Sequence, residues 1–147
     1  MTLKTILIFF LISLTNQSDL KQVANYYNGK PYGSTGYETI SFWITKDDKP
    51  LIHYSYGKDD KDAPVKFISK TILKNGKRCF KITLRRNMLY VIPEGNKLRI
   101  TDLKGEYNKI FSWEYQGPID GIGTWCSVCT QDEKESLAFL KKYYLPI

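Results

Sequence analysis

The chain has 147 residues, with 22 lysines and arginines against 15 aspartates and glutamates, a formal net charge of +7. That length suits one domain with its own core. The lysines are scattered and interleaved with acids at 46–49 and 58–62, which reads as a solubilising surface, and lysine greatly outnumbers arginine, the better phosphate fork. No arginine-rich block or nucleic-acid motif is present, so nucleic acid is not expected as a partner.

Residues 1–17 read as a signal peptide. Lys4 supplies a positive start, residues 6–14 are apolar, and small or polar residues follow. The run is too short for a bilayer core of about 30 Å. A retained anchor or a buried helix is the alternative. The expected location is secreted or periplasmic, with no stable membrane span after cleavage, which lowers the formal charge by one.

Residues 18–37 are polar and rich in Tyr, Asn and Gly, and read as an N-terminal arm or an irregular first strand. From there to residue 147 a single β-domain is expected. Residues 39–45 alternate, with Ile40, Phe42 and Ile44 on one face, and 51–56 form the next strand. A charged loop over 57–63 is closed by Pro64. Asn75-Gly76 marks a hairpin, read with a two-residue turn that sets Ile72 opposite Cys79 and Thr71 opposite Phe80. A helix over 65–74 is the alternative, but β-branched content and the turn favour a strand. Arg86-Asn87 turns the chain again. Gly95-Asn96 sets Glu94 opposite Lys97 and puts Leu89, Val91, Leu98 and Ile100 on one face. A further strand follows over 107–115, then a turn-rich loop over 116–123.

The fold class expected is mostly β: an antiparallel meander of about seven strands in a small barrel or sandwich. One C-terminal α-helix over 131–144 packs on it. Thr130-Gln131-Asp132-Glu133 fits a capping box, acids fill the first turn, and Lys141 and Lys142 sit near the end. Leu137, Leu140 and Tyr144 form its apolar stripe. The architecture resembles a calycin-like barrel with a terminal helix, without a lipocalin signature, and the likeness is one of architecture alone.

Cys126 and Cys129 form a Cys-x-x-Cys directly before the helix. With Trp125 the stretch resembles the thioredoxin redox motif, which implies one thiol activated by the helix N-terminus. The resemblance covers only that pentapeptide and the helix after it. The expected N-cap leaves both thiols outside the helix, and 18 residues beyond Cys129 cannot supply the rest of that fold. A structural disulfide among Cys79, Cys126 and Cys129 is the leading expectation for an exported chain. A bridge from Cys79 would fasten helix to sheet. Zinc would need four ligands, with His53 and Cys79 completing the pair, at a spacing that fits no zinc pattern.

His53, the sole histidine, reads as an ordinary sheet residue, and no glycine-rich phosphate loop is present. The many tyrosines of the N-terminal half could line a ligand cavity or fill a small β-core. The reading is a small exported non-catalytic β-domain that binds a small ligand or a protein. A thiol-disulfide protein using Cys126 and Cys129 is the alternative, and a zinc-stabilised domain the third. No cofactor and no metal are expected.

Overall fold

Alternating apolar residues shape this chain into nine strands followed by one helix. They are β1 (Lys21–Asn28), β2 (Glu38–Ile44), β3 (Pro50–Tyr56), β4 (Lys61–Ala63), β5 (Val65–Ile72), β6 (Arg78–Leu84), β7 (Asn87–Glu94), β8 (Lys97–Thr101), β9 (Asn108–Trp113) and α1 (Glu133–Tyr143). The structure is a computed structural model describing residues 20–29, 37–57, 61–114 and 132–147. The proposed signal peptide, the loop over 116–123, Cys126, Cys129 and Thr130 lie outside the described residues.

The strands pair antiparallel in one sheet of order β4-β3-β2-β1-β9-β8-β7-β6-β5, which curls into a nearly closed barrel. The seam lies between β5 and the β3–β4 edge. The expected β-meander is therefore observed, with nine strands rather than about seven. The two additional ones are short or irregular. β4 has three residues, Lys61–Ala63, inside what reads as a charged loop. β1 carries a bulge between Gln22 and Ala24.

Inward rows fill the barrel. Ile40 and Phe42 of β2, Phe80, Ile82 and Leu84 of β6, Leu89 and Val91 of β7, Leu98 and Ile100 of β8 and Phe111 of β9 form one buried cluster. The Gly95-Asn96 turn holds the expected register, with Glu94 opposite Lys97 and Val91 opposite Ile100. Gly95 takes φ +66, which its missing Cβ permits.

Two turns differ from the sequence reading. The β5–β6 hairpin has a three-residue turn, Lys74-Asn75-Gly76. The Leu73 amide donates to the Lys77 carbonyl at 2.9 Å, and the Gly76 amide to the Leu73 carbonyl at 2.9 Å. The Asn75 carboxamide oxygen accepts from the Lys77 amide at 3.0 Å, and Gly76 sits at φ +84. The left-handed glycine adds one residue to the loop. Pairing therefore slips by one: Thr71 faces Cys79 and Ile72 faces Arg78. A second shift at Ile68 aligns Phe67 with Ile82. The next turn is Arg85-Arg86, not Arg86-Asn87, with Leu84 opposite Asn87.

The helix begins two residues later than expected. Its N-cap is Asp132, whose side chain accepts from the Lys134 and Glu135 amides. A carboxylate there meets both the free amides and the positive helix end. The buried face is Ser136, Phe139 and Leu140, continued by Tyr144 and Leu145, so Leu137 is at its edge rather than its centre. Tyr144 stacks on Phe80 with ring centroids 5.1 Å apart and lies 5.6 Å from Phe42. The Ser136 hydroxyl donates to the Val23 carbonyl at 2.8 Å and accepts from the Trp113 indole at 3.0 Å. The helix thus closes the barrel end formed by the start of β6 and the ends of β2, β7 and β9. Among the described residues no helix is long and apolar enough to cross a membrane.

Candidate functional site

The opposite end of the barrel is built differently. There the inward rows run one step past their apolar residues into charged or aromatic ones. On β2 the row Phe42, Ile40 ends at Glu38; on β3 it runs through Tyr54 to Tyr56; on β9, Phe111 is followed towards this end by Lys109. The register places Ile40 opposite Tyr54 and Glu38 opposite Tyr56, which gathers these side chains at one mouth.

Glu38 is the hub, and its residue is only 6% exposed. One carboxylate oxygen accepts from the Tyr54 hydroxyl in a short hydrogen bond and from the Tyr107 hydroxyl at 3.2 Å. The other forms a close ion pair with the Lys109 ammonium. A buried carboxylate is tolerated only with such company, because an unpaired one would be strongly disfavoured. Burial pushes the Tyr54 and Tyr107 phenols well above the ordinary tyrosine range, and the neighbouring Glu38 carboxylate adds to it. Both hydroxyls are thereby kept as donors to Glu38.

Arg85 forms the rim. Its guanidinium stacks over Tyr56 at 3.5 Å from the ring centroid and lies 5.7 Å from that of Tyr54. It stands on a turn whose two central residues both have left-handed backbones, φ +51 for Arg85 and +70 for Arg86. Such turns favour Asn and Gly, and branched or long side chains there store strain. Together with Leu84 and Leu89 as floor, these residues line an open cavity of about 360 Å³.

A second depression of about 980 Å³ lies between α1 and the β5–β6 and β7–β8 turns. It is wide and mostly apolar. Its nearby ion pairs, from Lys77 and Arg99 to Glu94, lie on the outer wall and hold the Glu94 carboxyl below its usual range through the Lys77 hydrogen bond first. Such pairs at the surface tie turns together weakly.

Of the residues singled out in the sequence, Cys79 lies on the outward face of β6, fully buried and a free thiol among the described residues. Burial raises its pKa, away from the range of an activated thiolate. Its expected bridging partners, Cys126 and Cys129, lie outside the described residues. His53 is on the outward face of β3 and pairs with Asp62 at 2.9 Å. No group of three His, Cys, Asp or Glu side chains suited to a metal is found among the described residues.

The fold and site define a helix-plugged antiparallel barrel with a polar, aromatic mouth. No family model, curated protein or solved structure matches the chain.

Proposed function

We propose that the protein is a non-catalytic binding barrel that holds a small ligand at the mouth opposite the helix. The observation that carries this reading is the convergence of Glu38, Tyr54, Tyr107 and Lys109, with Arg85 stacked above them, around one open cavity. Aromatic rings and a few polar groups converging on one concavity are usual marks of a small-molecule site. Binding is favoured over catalysis because three donors already hold the Glu38 carboxylate, which leaves it a structural anchor rather than a free base.

Export belongs to the same proposal and rests on the apolar run after Lys4. With Cys79 a buried free thiol, Cys126 and Cys129 are left to pair with each other in an oxidising compartment.

A thermal-shift screen of a small-metabolite library tests the binding reading. Hits should raise the melting temperature of the wild-type chain and not that of Asn87→Trp, which fills the mouth from its lining. Hits that stabilise both proteins equally would place binding elsewhere and count against the cavity.

A further inference from the structure

The donors and acceptors around the cavity are unequal. The Arg85 guanidinium lies over the Tyr56 ring, 3.5 Å from its centroid, a contact with the π face that leaves N–H donors for an oxygen acceptor. Among the described residues no carboxylate pairs with it. Lys109 gives one hydrogen to Glu38 and keeps two more. On the acceptor side, three donors already fill most of the lone-pair sites of Glu38. The lining therefore carries two formal positive charges against one negative, with a surplus of donors.

Position adds to this. Arg85 projects from a two-residue turn and is braced by the Tyr56 ring, itself stacked on Tyr54 at 6.0 Å and 25°. A braced guanidinium loses less freedom on binding than a mobile lysine. The floor is apolar, made by Leu84 and Leu89, both nearly inaccessible to solvent. A volume of about 360 Å³ suits a single-ring compound and is too small to enclose a long acyl chain.

We infer that the cavity takes a small organic carboxylate with a ring-shaped body. The Arg85 fork receives the carboxylate in two parallel charge-assisted hydrogen bonds, with Lys109 beside it. The ring lies against Leu84, Leu89 and the edge of the tyrosine cluster. The inference rests on the ligand-binding reading above and specifies the chemistry of its ligand.

The test is titration of 4-hydroxybenzoate and its neutral isostere 4-hydroxybenzamide into the full-length chain, followed by calorimetry and amide chemical shifts. The acid should perturb Gly57, Asn87 and Leu89 and bind at least tenfold tighter than the amide. Arg85→Ala should weaken the acid tenfold or more, and Arg85→Lys by less, because charge is kept while the fork is lost. Lys97→Ala, at the far end of the barrel and outside the lining, should bind as wild type. Equal binding of acid and amide, an unaffected Arg85→Ala, or no binding of the acid would overturn the inference. Cavity shifts with the amide or another neutral compound would then leave the binding reading standing. Absence of cavity shifts with every library compound would remove both.

Discussion

Ser136 of the helix hydrogen-bonds the Val23 carbonyl of β1 at 2.8 Å while accepting the Trp113 indole N–H of β9 at 3.0 Å. One buried hydroxyl thus joins the helix to two neighbouring strands, and the chain positions it joins are distant in sequence. Ser136→Ala deprives both the Val23 carbonyl and the Trp113 indole of their partner without opening much space. The expected cost is about 2 kcal/mol, from two groups left unsatisfied near the core. Urea unfolding should show a lower midpoint at an unchanged slope. A midpoint equal to that of wild type would mean that the helix is held by apolar packing alone.

The Arg85-Arg86 turn is strained at both central residues. Arg86→Gly removes one left-handed side-chain clash and should stabilise the fold by about 1 kcal/mol. Calorimetric melting measures it, and a rise of several degrees is expected for a domain of this size. A destabilised Arg86→Gly would show that the Arg86 side chain makes contributions larger than the strain it causes.

Three buried tyrosines, Tyr26, Tyr54 and Tyr144, and the half-buried Tyr107 have phenol pKa values raised first by burial. In the unfolded chain they ionise near the ordinary value of 10.0. Above that pH the unfolded chain loses protons that the folded chain keeps, so the folded state is progressively disfavoured. The stability these groups contribute is fully present below pH 10 and is lost as the pH rises from there towards their raised values. Absorbance at 295 nm should show the buried tyrosines ionising together with loss of the β-sheet circular dichroism signal. Ionisation of all tyrosines near pH 10 with the fold intact would contradict their burial.

Much of the barrel was legible because inward and outward residues alternate so regularly. The row Ile40, Phe42, Ile44, the Glu94–Lys97 register and the antiparallel order all follow from a period of two and from turn chemistry. The β5–β6 register was not, because Asn75-Gly76 supports either a two-residue turn or a three-residue turn with a glycine bulge, and a slip of one residue changes every pairing. The helix start was misplaced because Thr130 and Asp132 both offer capping oxygens three residues before an acid.

The site itself was missed, although a signal was present. Extending the inward row of β2 back by two residues from Ile40 reaches Glu38, a carboxylate on an otherwise apolar face. An acid there needs partners, but those partners come from β3, from β9 and from the loop before it, and only the closed barrel reveals that they meet. The Cys126 and Cys129 pattern, by contrast, is legible because its spacing lies within five residues.

Thiol mapping of the purified chain by mass spectrometry should find Cys79 as the one free thiol, alkylated only after unfolding, and Cys126 joined to Cys129. Burial of Cys79 in the β6 wall is the reason. Rapid alkylation of Cys79 in the native protein, or its recovery in a bridge, would contradict this pairing.

Whether the Glu38 mouth is a ligand site is tested most directly by amide chemical-shift mapping of a fragment library on the wild-type chain. Binding there predicts shifts concentrated at Glu38, Gly57, Asn87 and Leu89, with the residues around α1 unmoved. Shifts concentrated at Leu137, Ala138 and Gly95, or spread without focus over the barrel wall, would contradict it.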